Sequence, residues 1–369
     1  MKILIIAGKT RSLVNFRGDL IKDLISAGHE VLAIAGDHDK DSIIDLKMMG
    51  VEFSTFPVKR NSLNPISDIN MLLFLVRFIK KNKPEMILSY TIKPVIWGGI
   101  ASRICNINNF YAMITGLGFA FQSGGIKRKS LNYLVKVLYR MALVKSKGVI
   151  FQNDDNQSKF IDEGIIQKSQ SYRVNGSGVN TSHFAGSAIP TGKVKFLSIA
   201  RLLKEKGLRE YYEAAATIKK NNPNLVFQLL GPEDSSPDSI KIEEVNKWVE
   251  SGVIEYLGES KDVRPYLQNC TVFVLASYHE GMPRTVLEAM STGRPIITTN
   301  VAGCKDTVIN GLNGYLVDHK SVEQLAISMS DLAINRENIE RMGMQSRIMA
   351  LEKFDVVKVN KELFKIMEL

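Results

Sequence analysis

Two stretches of the chain gather side chains suited to an anionic, hydroxyl-rich ligand. One reads Arg201-Leu-Leu-Lys-Glu-Lys206-Gly207, directly after the apolar run Val194–Ile199 and ahead of a helical pattern. Two cations at a strand's carboxyl end, followed by glycine, make a diphosphate clamp, because arginine supplies a planar fork and lysine a compact charge. The other runs from Ser277 to Val317 and contains Glu280-Gly-Met-Pro-Arg-Thr-Val-Leu-Glu288. Pro283 suits a first helical turn, and the N–H groups at such a helix start attract phosphate. Glu280 falls in the loop and Glu288 about a turn and a half into the helix, so the two do not share one metal ion or proton. Carboxylates so spaced accept from different hydroxyl groups, those of a sugar and those of a ribose.

These stretches need strands and helices to hold them. Short apolar runs at Lys2–Ala7, Val31–Ala35, Met86–Ser89, Phe110–Ile114 and Gly148–Phe151 alternate with amphipathic stretches at Phe16–Ala27, Ile69–Lys81 and Leu131–Lys145. The rhythm repeats at Val194–Ile199, Leu225–Leu230, Val253–Tyr256, Thr271–Leu275 and Pro295–Thr298, with helices over Leu208–Lys220 and Thr285–Met290. Strands flanked by helices in this way predict parallel sheets covered on both faces, hence an α/β chain of two doubly wound, Rossmann-like domains. The Gly- and Ser-rich segment from Asn175 to Gly192 reads as the linker, giving domains of about 1–180 and 190–350. Ligands of such sheets bind beyond the carboxyl ends of the strands, so the expected site is a central cleft between the domains.

Composition narrows the partners. The 369 residues are 45% hydrophobic and 23% charged, which excludes extensive disorder. No apolar run approaches the ~18 residues that span a bilayer, and the N-terminus lacks the apolar core and cleavage site of a signal peptide. Cys105, Cys270 and Cys304 are odd in number and widely spaced, which fits a reducing cytoplasm. The formal charge of +10 lies wholly in residues 1–190, where 25 Lys and Arg face 14 Asp and Glu. A one-sided basic field favours an anionic partner, whether lipid or phosphate-bearing substrate. No nucleic-acid recognition module accompanies it. Lys127-Arg-Lys129 and the helix pattern Leu131–Lys145 join basic clusters to an apolar face, which suits either an anionic lipid surface or the cover of a sheet. Asp37-His38-Asp39 resembles a metal-binding triplet of chance frequency, and no metal is expected. The Gly-x-Gly-x-x-Gly of a dehydrogenase is missing after the first strand, and there is no P-loop.

Glu280-Gly-x-Pro-x-x-x-x-Glu288-Ala-Met-x-x-Gly-x-Pro, followed by Gly303-x-x-Asp306 and Gly311-x-x-Gly314, resembles the donor signature of glycosyltransferase family 4. The Arg201…Lys206-Gly207 element agrees. The resemblance covers the C-terminal half and implies a GT-B fold and retaining transfer from a nucleotide sugar. By position it implies that Arg201 and Lys206 hold the diphosphate, Glu280 the donor sugar and Glu288 the ribose. Backbone groups of Gly281, Met282, Pro283, Thr285 and Val286 would meet sugar and phosphate oxygens, and Gly8 would let backbone approach the diphosphate. Asn15-Phe16-Arg17, Arg60-x-x-Leu-Asn-Pro65 and Thr115-Gly-Leu-Gly118 look like the bacterial subgroup that extends polyprenyl-diphosphate-linked sugars, N-acetylgalactosaminyl transferases among them. Where several members place a histidine, this chain has Thr115-Gly116. Arg17, Thr115 and Gly116 are thereby assigned to the acceptor.

The expectation is a retaining glycosyltransferase that moves a hexose or N-acetylhexosamine from a UDP-sugar, such as UDP-GalNAc or UDP-GlcNAc, to a lipid-diphosphate saccharide. It would work at the cytoplasmic face of the inner membrane, in surface-polysaccharide or glycan assembly. Arg201, Lys206 and the helix N-terminus can absorb the charge gathering on the leaving phosphate, so neither cofactor nor metal is expected. The final segment, about 351–369, is expected to pack back on the first domain. A nucleotide-sugar 2-epimerase and a non-catalytic nucleotide-sugar-binding partner are the alternatives, separated by a product assay with and without acceptor.

Overall fold

The computed structural model describes residues 1–56, 65–117, 121, 126–236 and 238–369. The described chain divides into two compact units, residues 1–177 with 359–369, and residues 178–358.

The first unit holds β1 (Lys2–Ile6), β2 (Glu30–Ala35), β3 (Glu52–Thr55), β4 (Met86–Tyr90), β5 (Asn109–Ile114), β6 (Gly148–Phe151) and β7 (Ser171–Arg173). Its helices are α1 (Thr10–Ser26), α2 (Lys40–Met48), α3 (Pro65–Asn82), α4 (Ile92–Ile104), α5 (Ile126–Leu143) and α6 (Asp154–Asp162). The second unit holds β8 (Lys195–Ile199), β9 (Val226–Leu230), β10 (Ile254–Tyr256), β11 (Val272–Leu275), β12 (Ile296–Thr299) and β13 (Gly314–Val317). With them run α7 (Leu208–Lys219), α8 (Ile242–Glu250), α9 (Arg264–Asn269), α10 (Arg284–Thr292), α11 (Val322–Ile334) and α12 (Arg336–Met349), and α13 (Val356–Met367) closes the chain.

Both sheets are parallel, with strand orders β3-β2-β1-β4-β5-β6-β7 and β10-β9-β8-β11-β12-β13. Each is doubly wound: the order reverses between β1 and β4, and between β8 and β11. Reversal leaves a crevice beyond the carboxyl ends of those two strands, where no crossover helix covers them. The short Ile-, Leu- and Val-rich runs form central strands because both their faces are covered; β4 is buried along its whole length. In the first unit, α3, α4 and α5 pack on one face around Ile87, Phe110 and Val149, while α1 and α2 pack on the other around Ile5 and Leu88. The last residues Val359, Leu363 and Met367 join that second face.

Three strands absent from the sequence reading, β3, β7 and β13, are sheet edges. Edge strands such as Ser171–Arg173 are only half covered, so their residues need not form an apolar run. The helix α4 was hidden for the opposite reason: it is buried on most of its circumference and so lacks an amphipathic period.

The Gly- and Ser-rich segment is not a free tether. Val179 and Phe184 are buried in a core cluster, and Arg294, itself 0% exposed, donates to the carbonyls of Ser187, Ala188 and Leu267. Arg347 likewise donates to the carbonyls of Thr181 and Phe184. Buried carbonyls need donors, and these two guanidiniums supply several each, which is why a stretch poor in apolar side chains still packs. At the other boundary, residues 350–358 stay with the second unit and only 359–369 join the first. Among the described residues no helix is long and apolar enough to cross a membrane.

Candidate active site

In the second unit the two chemistry-bearing stretches leave β8 and β11, the strands that flank the reversal of sheet order. Glycines bring them together. Gly207 has φ +64°, and a Cβ there would lie 2.1 Å from the carbonyl oxygen of Ala276, just past β11. Only glycine takes this conformation at such an approach without strain. The N–H of Tyr278 donates to the Glu205 carbonyl at 2.8 Å, locking the two loops. Gly303, at φ +79°, supports the Glu280–Gly281 loop from behind, a Cβ there falling 2.6 and 2.5 Å from those two carbonyl oxygens.

The consequence is an ion pair at the crevice. Lys206 Nζ lies 2.6 Å from Glu280 Oε1, and the hydroxyl of Ser277 donates to the same oxygen at 2.8 Å. Both charged side chains are largely covered, at 13% and 17% exposure. Burial pushes the Lys206 ammonium down, but the charge and hydrogen bond of Glu280 outweigh it and hold the group above its ordinary value. Arg201 pairs with Asp234. Asp234 is in reach because Gly231, at φ +150°, seats the loop after β9 against the Ala200 carbonyl. Burial raises the Asp234 carboxyl, while hydrogen bonds from Arg201 and the Ser236 N–H overcome that and leave it below the usual range.

The helix α10 opens at Arg284 with Pro283 at its cap, a residue whose side chain cannot cap it. Glu288 is 7% exposed and accepts from Arg284 Nε at 2.8 Å, one helical turn away. Burial pushes its carboxyl up, against the opposing pull of Arg284. Gly281 and Pro283 are buried, Met282 and Thr285 are half-buried, and the side chain of Val286 faces the core, leaving backbone as its route to a ligand. Lys206 and Glu280 are therefore brought into direct contact with Arg201 near them, while Glu288 sits in a separate pair. Sequence reasoning missed Asp234, Ser277, Arg284 and Gly231. Ser277 stands within the motif, but its type gave no sign that its hydroxyl is buried against Glu280.

In the first unit Gly8 follows β1 and Thr91 follows β4, again the strands at the reversal of order, and a Cβ on Gly8 would meet the Thr91 hydroxyl at 2.8 Å. Thr115 and Gly116 follow β5 and are half-buried. Arg17 is not a surface cation: at 2% exposure, its Nη2 donates to the Met113 sulfur and its guanidinium lies 5.3 Å from the centre of the Tyr90 ring. Burial pushes the Tyr90 hydroxyl up to about 12 despite a hydrogen bond with Ser12. Asp37, from the triplet considered for metal, instead accepts from the Thr10 N–H at 2.6 Å and from its hydroxyl at 2.8 Å, anchoring the start of α1. Arg60 to Asn64 and Gly118 lie outside the described residues.

Residues 179–349 match the family model for glycosyl transferases group 1, and residues 2–153 match that for glycosyl transferase 4-like domains. The chain is built of two glycosyltransferase domains, one 4-like and one of group 1. It is 28% identical, over 89% of both chains, to the Campylobacter jejuni N,N'-diacetylbacillosaminyl-diphospho-undecaprenol alpha-1,3-N-acetylgalactosaminyltransferase. It is 27% identical to the Escherichia coli UDP-Gal:alpha-D-GlcNAc-diphosphoundecaprenol alpha-1,3-galactosyltransferase, over 82% of this chain and 80% of that one. Among solved structures, the Anabaena protein HepE in complex with UDP superimposes with a TM-score of 0.79 at 18% identity, covering the whole of both chains. That likeness shows the GT-B fold. The two domain matches make the chain a glycosyltransferase, and its paired charges stand at the crevice of the second unit.

Proposed function

We propose that this glycosyltransferase moves a hexose or N-acetylhexosamine from a UDP-sugar onto a saccharide carried by a polyprenyl diphosphate, in bacterial surface-polysaccharide or glycan assembly. The observation that carries the reading is the Lys206–Glu280 pair at the β8/β11 crevice, with Arg201 beside it. The acceptor class follows from the names of the two relatives, both of which act on undecaprenyl-diphosphate-linked sugars.

The chemistry runs through charge. As the glycosidic bond to the nucleotide breaks, the sugar becomes oxocarbenium-like and negative charge gathers on the β-phosphate. Arg201, Lys206 and the N-terminus of α10 receive that charge without a divalent metal. In the resting chain Lys206 is occupied by Glu280. Donor binding exchanges partners: the diphosphate takes Lys206, and Glu280 Oε1 turns to a hydroxyl of the sugar. Glu288 accepts from the ribose. The acceptor hydroxyl attacks from the face the nucleotide leaves, retaining configuration, and its proton passes to the departing β-phosphate oxygen. Thr115 and Gly116 meet the acceptor; Arg17, held against Met113 and Tyr90, orders the strand ends beneath it. The lipid acceptor sets the work at the cytoplasmic face of the membrane, with the protein peripheral and its basic half toward the lipid.

Thermal unfolding with a panel of nucleotides and nucleotide sugars, in the presence of EDTA, tests the donor half. A ligand at 100 times its Kd stabilises by about 2.7 kcal/mol. Stabilisation by UDP and one UDP-sugar, but not GDP, is expected. Transfer assayed with and without a polyprenyl-diphosphate saccharide then tests the rest: product only with acceptor supports transfer, and an isomerised UDP-sugar without acceptor overturns it.

A further inference from the structure

A helix that covers a sheet needs one apolar face. α5 has two. Val135, Tyr139, Ala142 and Leu143 are buried in the first unit's core, yet Tyr133, Leu134, Met141 and Val144 remain 69%, 53%, 45% and 63% exposed. Positions 133, 134, 141 and 144 recur at helical spacing, so they form one outward stripe. The sheet accounts for the inner face and leaves this one unexplained.

Charge around the stripe has one sign. From Met86 to Asn153 the chain carries nine Lys and Arg and not a single Asp or Glu. Carboxylates from elsewhere neutralise some of these: Asp68 pairs with Lys93, Glu163 with Lys136 and Glu368 with Lys147. Arg103, Arg140 and Lys145 have no carboxylate partner among the described residues; Arg103 donates to the Met141 carbonyl and Arg140 to those of Glu163 and Gly164. Where α4 and α5 end, Gly99 brings the helices so close that a Cβ on it would lie 2.6 Å from the Ala142 carbonyl oxygen. A small pocket opens beside that contact, lined by Ser102, Arg103, Asn106, Asn108 and Lys145. Exposed Met141 and Val144, at and just past the end of α5, are chain neighbours of the lining residues Ala142 and Lys145, and Ile104, 49% exposed, is a neighbour of Arg103 on α4.

We propose that the outer stripe of α5 lies on an anionic phospholipid bilayer, with Arg103 and Lys145 taking a lipid phosphate in the pocket between the ends of α4 and α5. Apolar side chains at the headgroup–acyl boundary, ringed by cations with flexible stems, are the chemistry of an interfacial helix. A second copy of this chain would bring like charges face to face, and a polynucleotide would give the apolar stripe nothing to bury. The inference deepens the transferase reading by assigning the surface that meets the membrane, and its test does not depend on turnover.

The test is sedimentation of the full chain with vesicles of phosphatidylcholine, with and without phosphatidylglycerol. Binding only to the anionic vesicles, released by salt, is expected. Lys145→Ala should weaken partitioning about fivefold, as for one cation near an anionic surface. Leu134→Ser with Val144→Ser should weaken it more than tenfold, with the melting temperature unchanged because both sites are exposed. Inorganic phosphate should release no more protein than chloride of equal ionic strength. Equal binding to both vesicle types, or unchanged binding by both variants, overturns the proposal. So does a dimer in solution that the Leu134→Ser, Val144→Ser variant dissolves. Transfer to a short-chain, water-soluble acceptor should be unchanged in these variants; its absence from wild type, with vesicle binding intact, counts against the transferase reading alone.

Discussion

The two units share one architecture and use its crevice differently. Beyond β8 and β11 the second unit sets charges against one another: Lys206 with Glu280 and Arg201 with Asp234, while Arg284 with Glu288 follows one turn into α10. Beyond β1 and β4 the first unit places hydroxyls, those of Thr10, Ser12, Tyr90 and Thr91, with Lys9 and Arg11 beside them in the chain and Asp37 bonded to Thr10, and turns Arg17 inward against sulfur and an aromatic ring. A doubly wound sheet thus fixes where a ligand goes but leaves the chemistry to the loops. On the proposed reading, the charged crevice receives a ligand that replaces internal ion pairs, and the hydroxyl-lined crevice of the first unit receives the acceptor.

This contrast can be broken most sharply at Glu280. Glu280→Gln should lower turnover on the order of 10²-fold or more, while Lys206→Ala should chiefly raise the donor KM; steady-state kinetics separate the two. Near-normal values in both variants would remove the second unit's crevice from the reaction. Next comes backbone. Gly207→Ala incurs the roughly 1–2 kcal/mol of a left-handed alanine, plus the displacement of Ala276, whereas Gly8→Ala, which meets only a threonine hydroxyl, should stay within about 1 kcal/mol. Chemical denaturation reads both, and equal losses would mean the two crevices are equally rigid.

The smallest effect is at Asp262. Hydrogen bonds from Arg264 hold its carboxyl down to about 2, against the opposing effect of burial. A depressed native value means the pair adds stability above the ordinary 3.8 and loses it as pH falls toward about 2. Asp262→Asn should flatten the acid limb of the stability curve in that window. Because the carboxylate is 47% exposed, high salt should flatten it too.

Much of this was legible in the residues. Central strands announce themselves because burial on both faces demands uninterrupted apolar runs, and the start of α10 does so because Gly281 and Pro283 mark a loop turning into a helix. What stayed hidden depends on neighbours distant in the chain. Asp234 reaches Arg201 only because β9 lies beside β8, and Ser277 acts on Glu280 only through the turn between them. Arg17 looked like an accessible cation because sequence records charge, not the Met113 and Tyr90 that enclose it. The segment after Asn175 looked like a tether because its packing rests on Arg294 and Arg347, more than a hundred residues away.

The chain's last residues impose an order on its making. The strand nearest the N-terminus is finished only when Val359, Leu363 and Met367 settle on its face, with Asn360 bonded to Asp23 and Lys147 to Glu368. During synthesis the first unit therefore waits, one apolar flank open, while the contiguous second unit has all its residues in hand. The half that emerges first from the ribosome is the half completed last.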